Sequence, residues 1–288
     1  MEKRLNGGFF PCNALKILAI QPVSLQILPC LPKKFLAAGH SAIYQTMPNF
    51  CTGVFMEFVM EPIARIHTDF PTKFGVPRQS GLVKDLEAEI LFEPPYRDPA
   101  ALRGLEGFSH LWLVWVFHQA AGRPWSPTVR PPRLGGNRRM GVFATRSPFR
   151  PNSIGLSAVE LAGIETAGPS GPVLRVRGAD LVDGTPVLDI KPYLPYADCI
   201  PEALGGFAGQ PAAAALAVEI PPLLLERIPP ERRKALRAVL AQDPRPRYQD
   251  DPARVYGFTF AGLEVRFTVE GDRLIVREVA ASPEKPPV

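Results

Sequence analysis

Thirty-four prolines punctuate this chain of 288 residues. Proline lacks the amide donor that a helix needs, and its ring clashes with the preceding turn. Spread this densely, it excludes a long helical bundle and leaves short elements between turns. Collagen is excluded as well, because the 24 glycines do not recur at every third residue. With 46% hydrophobic residues the chain can bury a sizeable core, as one large domain or two ordinary ones.

From Phe58 to about Tyr196 the segments between turn signals alternate apolar and polar residues, the pattern of strands. Strands are predicted over 62–67, 88–92, 108–118, 140–145, 154–162, 173–181 and 186–190. The third is the strongest. Its even positions, from His110 to His118, point one way, while Leu111, Leu113, Trp115 and Phe117 point the other. Both faces are apolar in the middle, which marks a central strand. A mainly β fold, barrel or sandwich, follows.

After about Pro201 the pattern changes. The alanine-rich stretch 212–217 reads as a linker. One amphipathic helix is predicted over 230–240, with Pro229 and Pro230 at its start and Glu231 in its first turn. Three strand-like runs follow, over 255–260, 263–269 and 274–279, making a small α+β domain. The expected organisation is an N-terminal extension over 1–55, a β domain over 56–200 and an α+β domain over 201–288.

The net charge of +5 is unevenly placed. Residues 1–55 carry five Lys/Arg against one Glu, and the remainder is close to neutral. The overall excess therefore does not by itself argue for nucleic acid. The extension reads as a poorly ordered arm, or as translated sequence upstream of the true start, with Met47, Met56 and Met60 as later starts. A secretory signal over 14–31 is the competing reading, but Gln21, Pro22, Gln26 and Pro29 interrupt its apolar run. The four cysteines share no short spacing, three of them lying in the extension, which suits a reducing cytoplasm and suggests no metal site. No apolar run reaches the length of a membrane span.

The usual cofactor signatures are missing: no GxGxxG after a strand, no Walker loop, no GxSxG and no HExxH. Two other features stand out. Between Glu106 and Glu160 there is no Asp or Glu, yet there are seven arginines: Arg123, Arg130, Arg133, Arg138, Arg139, Arg146 and Arg150. Arginine alone on a Pro/Gly-rich loop suits planar recognition of phosphate or carboxylate, unless acids elsewhere in the fold pair with it. In the second, Asp189, Lys191 and Tyr193 share one face of an extended segment, either as an acid/base set or as a structural ladder. Gly81 closes the FGVPRQSG turn and permits close backbone approach to a ligand. His118-Gln119 ends the central strand at a possible pocket mouth, although such a histidine can equally be a structural group.

PRQSGLV (77–83), FSHLWLVWVFH (108–118), RPPRLGGNRRMGVFATRSPFRPNSIG (130–155), DLVDGTPVLDIKPY (180–193) and AQDPRPRY (241–248) together resemble the TsaA-like/TrmO family. The resemblance implies an S-adenosylmethionine-dependent methyltransferase, built on a β-barrel rather than a Rossmann fold and carrying a small C-terminal domain. It further implies a homodimer with the cofactor near the interface, and as substrate N6-threonylcarbamoyladenosine beside the tRNA anticodon. Gln79, Ser80, Gly81, His118, Gln119, Arg146, Leu156 and the turn Asp180, Leu181, Val182, Asp183 match the family's cofactor site. Asp189, Lys191 and Tyr193 are the candidates to orient or deprotonate the acceptor nitrogen. Arg150 and Asn152 would hold the threonyl carboxylate or a phosphate. Arg130, Arg133, Arg138, Arg245, Arg247 and Tyr248 are the candidate tRNA contacts. Residues 1–55 have no counterpart in the family pattern, and Ser153 replaces a common proline. The competing function class is a non-catalytic RNA-binding or regulatory module; a small-molecule methyltransferase is a third.

Overall fold

In the computed structural model, which describes residues 59–209, 215–245 and 251–282, six antiparallel strands close into a barrel. They are β1 (Ala64–His67), β2 (Glu87–Phe92), β3 (His110–Val116), β6 (Ile154–Glu165), β7 (Val173–Arg177) and β8 (Thr185–Pro192), in the order β1-β2-β7-β6-β3-β8. A two-stranded ribbon, β4 (Thr128–Val129) with β5 (Met140–Gly141), lies between β3 and β6 in the chain. The predicted strand over 140–145 is thereby corrected. Only its first two residues pair, and a 3-10 turn over Val142–Ala144 replaces the rest. The extension over 1–55 lies outside the described residues.

Alternation along β3 puts Leu111, Leu113 and Trp115 into the barrel, against Val159, Leu174, Val187 and Ile66. The strand is central as predicted, paired with β6 on one side and β8 on the other. On its outer face Val114 pairs with Leu156 of β6 and with Asp189 of β8, so these three residues form a row across the outside of the barrel.

After a short helix α1 (Pro195–Asp198), the C-terminal part forms a four-stranded sheet in the order β10-β11-β12-β9. Its strands are β9 (Ala217–Glu219), β10 (Tyr256–Phe260), β11 (Leu263–Glu270) and β12 (Arg273–Ala281). Helices α2 (Pro222–Leu225) and α3 (Pro230–Ala241) accompany it, and α3 buries Ala235, Leu236, Val239 and Leu240. Strand β9, parallel to β12, begins at the end of the stretch expected to be linker.

The core of this sheet also encloses Phe70, Val83 and Leu86, from the segment between β1 and β2. Phe70 meets Phe260 edge-on at 5.4 Å, and Phe74 meets Phe258 at 6.3 Å. Asp69 pairs with Arg232 at 3.1 Å and Asp85 with Lys234 at 2.7 Å. The turn containing Gln79, Ser80 and Gly81 is thus clamped from both sides by the C-terminal sheet and α3.

Candidate functional site

At one end of β3, β6 and the 180–185 turn, the barrel opens into a cleft of about 820 Å³. Arg150, on the acid-free loop, and Arg78, beside Gln79, both reach its wall. Eight of the eleven residues expected to hold the cofactor line it: Gln79, His118, Gln119, Arg146, Leu156, Asp180, Leu181 and Val182. The other three stand behind the wall. The Ser80 backbone N–H donates to the Asp180 carboxylate. Gly81, at a φ of 76°, donates its N–H to the Gly178 carbonyl at 2.8 Å. Asp183 accepts from the Thr68 amide at 3.0 Å and lies 3.3 Å from His67, so its carboxylate ties β1 to the turn.

The polar centre of the cleft is layered. The Trp115 indole N–H donates to Ser157 Oγ at 3.0 Å, and the Ser157 hydroxyl donates to Asp180 at 2.6 Å. Trp115 and Ser157 are both buried, which fixes the carboxylate from behind. Burial pushes the Asp180 pKa above its ordinary 3.8, against the Ser157 bond, the Ser80 amide and the Arg146 charge, which favour the ionised form. Across the cleft Arg146 donates to the Gln79 side-chain carbonyl. Burial lowers the His118 pKa, and the Arg65 charge lowers it further, so the imidazole lining the cleft is neutral at pH 7. Gly155 is required here, because a Cβ would lie 2.3 Å from the Trp115 ring.

Among the described residues, the seven arginines between Glu106 and Glu160 make no ion pair, whereas Arg65, Arg175 and Arg177 outside the window all pair with glutamates. Arg139 donates to Thr128 Oγ1 at 3.0 Å, and Arg150 donates to the Thr145 and Val142 carbonyls at 2.6 and 3.2 Å. Arg123, Arg130 and Arg138 are exposed, and Arg133 is half-buried. Arg150 therefore braces the 142–145 turn as well as lining the cleft. Asn152 is exposed beside it.

Two expectations about position come out differently. Asp189, Lys191 and Tyr193 do share an outward face, with Ile190 turned to the barrel core, but none of the three lines the cleft. The Asp189 carboxylate accepts from Lys191 Nζ at 2.8 Å and from the Ile190 amide at 2.8 Å. The hydrogen bond from Lys191, and then the carboxylate's charge, raise the Lys191 pKa. Tyr193 packs near Trp112, the ring centroids 5.6 Å apart. Asp189 is two strands from Leu156, about 10 Å along the sheet. Arg245, expected to touch tRNA, is only 9% exposed and holds Asp243 with a two-pronged grip at 2.9 and 3.1 Å. Arg247 and Tyr248 lie outside the described residues. Trp115 and Ser157 were missed as site residues, because their role depends on the β3–β6 register.

The cleft suits a zwitterionic nucleoside. Arg146 with Gln79 can grip a carboxylate, and Asp180 can hold ribose hydroxyls or a cationic group. Leu156 and Phe117 offer apolar faces for a base. Its volume falls within the usual range for small-molecule sites.

Comparison with known proteins agrees. The family model of the tRNA-methyltransferase O N-terminal domain matches residues 65–199, and that of the TrmO C-terminal domain matches residues 213–282. The chain belongs to the tRNA-methyltransferase O family. It is 47% identical over 220 residues to the tRNA (adenine(37)-N6)-methyltransferase of Escherichia coli K12, covering 74% of this chain and 93% of that one. A protein of the same name from Eikenella corrodens is 51% identical over 174 residues, covering 60% and 98%. The crystal structure of TrmO from Pseudomonas aeruginosa superposes with a TM-score of 0.65 at 38% identity, over 79% of this chain and 98% of that one. Like its family, the chain is an S-adenosylmethionine-dependent tRNA methyltransferase.

Proposed function

We propose that this enzyme methylates N6 of N6-threonylcarbamoyladenosine next to the anticodon of tRNA. The observation that carries the reading is the junction of two features at one cleft. A cleft lined by Arg146, Gln79 and Asp180 opens beside a loop whose arginines make no ion pair among the described residues. The cofactor supplies an electrophilic methyl group, and the protein supplies position. Displacement at that methyl needs the acceptor nitrogen in line, so rigid placement of both partners provides much of the acceleration. Asp180, buttressed by Ser157 and Trp115, and Arg146, fixed by Gln79, are suited to that placement. An unpaired arginine such as Arg130, Arg133 or Arg138 is a ready partner for phosphate, and Arg150 with Asn152 at the rim is suited to the threonyl carboxylate.

The acceptor nitrogen bears a carbonyl substituent and becomes a good nucleophile once it loses its proton. Asp189, Lys191 and Tyr193 do not line the cleft of their own subunit. We therefore place them in a homodimer, in which the outer face of β6, β3 and β8 packs on a second copy and presents them to the partner's cleft. Leu156, 54% exposed on that face, supports such packing. Among the described residues no helix is long and apolar enough to cross a membrane, and we place the enzyme with its tRNA in the cytoplasm. Domain limits near 56–200 and 201–288 complete the proposal, with the C-terminal part also available to tRNA. The test is methyl transfer to tRNA that carries or lacks the threonylcarbamoyl group, with nucleoside mass spectrometry to locate the methyl. Transfer only to the modified tRNA is expected. Equal transfer to both would remove the modified nucleoside from the proposal, and no transfer to either would favour a non-catalytic RNA-binding module.

A further inference from the structure

Three aromatic side chains on the acid-free loop are turned out to solvent: Phe143 at 72% exposure, Trp125 at 43% and Phe149 at 38%. Folding alone does not account for this, since large rings normally bury most of their surface. The three are linked around the cleft mouth. Phe149 lines the cleft, and its carbonyl accepts from the Ser126 amide at 3.3 Å, which brings Trp125 beside it. The Arg150 guanidinium lies over the Phe143 ring at 5.7 Å and itself lines the cleft. Arg150 also holds the Thr145 and Val142 carbonyls, so the turn that displays Phe143 is braced rather than free to collapse.

We infer that Trp125, Phe143 and Phe149 form a stacking platform for unpaired nucleobases at the mouth of the cleft. Exposed rings interleaved with unpaired arginines are the composition of a single-strand nucleic-acid surface: the arginines attract the backbone and the rings receive the π-faces of successive bases. The local charge argues for RNA over an apolar protein partner, because the loop that carries the rings also carries seven arginines and no acid. The platform rests on the tRNA reading above and extends it. The adenosine enters the cleft, and its neighbours in the anticodon loop stack on the rim. Arg150 links the two, its guanidinium layered on Phe143 on one side and reaching the cleft on the other.

The test is equilibrium binding of an anticodon stem-loop RNA with 2-aminopurine next to the target adenosine. Wild type is compared with Phe143→Ala, Phe143→Tyr and Trp125→Ala, and S-adenosylmethionine binding is measured by calorimetry on the same preparations. Phe143→Ala is expected to weaken RNA binding about tenfold and to relieve stacking of the fluorescent base, while Phe143→Tyr stays within about twofold of wild type. The slope of affinity against salt should be unchanged, because no charge is removed, and cofactor binding should be unchanged. Wild-type affinity in Phe143→Ala and Trp125→Ala would overturn the inference. So would a loss that follows dissociation of the protein in sedimentation, which would mean that the rings cover a second copy. If wild type itself bound no RNA, the tRNA reading would fail before any variant was compared.

Discussion

At Asp180 a partly buried carboxylate accepts a 2.6 Å hydrogen bond from Ser157, yet burial still holds its pKa above 3.8. Binding and stability therefore oppose each other at this residue. In the native state the protonated form is favoured relative to the unfolded chain. The stability this confers is present below pH ~3.8 and lost as pH rises through the raised folded value. Asp180→Asn escapes that loss while still accepting from Ser157 and the Ser80 amide. Thermal melts should show the Asn variant gaining on wild type from about pH 4 upward and keeping its lead at neutral pH, while calorimetry shows weakened cofactor binding. A difference in melting temperature that does not change with pH would refute the carboxylate's role. The sequence motif located Asp180, but not its dependence on Trp115 and Ser157. That pair meets only because the β3–β6 register sets Trp115 opposite Gly155, the one residue small enough to lie under the ring.

Among the elements, the segment between β1 and β2 does most to shape the site. It carries Gln79, Ser80 and Gly81, and its ends are held by Phe260, Phe258, Arg232 and Lys234 of the C-terminal part. Arg78 adds long contacts of 3.4 Å to the Asp243 and Arg245 carbonyls. Loosening the C-terminal sheet should therefore loosen the cofactor turn. Phe260→Ala removes a fully buried ring remote from the cleft; it should cost about 3–5 kcal/mol in denaturant unfolding. Under native conditions it should also raise the KM for S-adenosylmethionine with a smaller change in kcat. An unchanged KM in the folded variant would show that the clamp does not reach the turn. Strand alternation made the barrel strands and β10–β12 legible within a residue or two at most ends. It failed over 142–145, where a 3-10 turn braced by Arg150 replaces a strand, and at β9, three residues long and adjoining an alanine run. Pairing of residues far apart in the chain, such as Phe70 with Phe260, leaves no local trace in composition.

For the molecule as a whole, the positive charge that matters is local rather than net. Beyond residue 55 the chain is close to neutral, while seven arginines without an ion pair among the described residues lie between Glu106 and Glu160, three of them, Arg123, Arg146 and Arg150, lining the cleft. The motifs alone brought eight of eleven expected cofactor residues to one cavity. Asp189, Lys191 and Tyr193 share a face turned away from the core, as spacing required, but spacing alone could not tell where on the barrel's outside the cleft would open. The most direct measurement is single-turnover transfer of a labelled methyl group from S-adenosylmethionine to threonylcarbamoylated tRNA, followed in wild type and Arg146→Ala across cofactor concentrations. Wild type should label the tRNA to completion. Arg146→Ala should need about ten- to a hundredfold more cofactor for the same rate, as loss of a charge-assisted bond requires. Wild-type cofactor dependence in the variant, or no labelling by wild type, would contradict the assignment of this cleft.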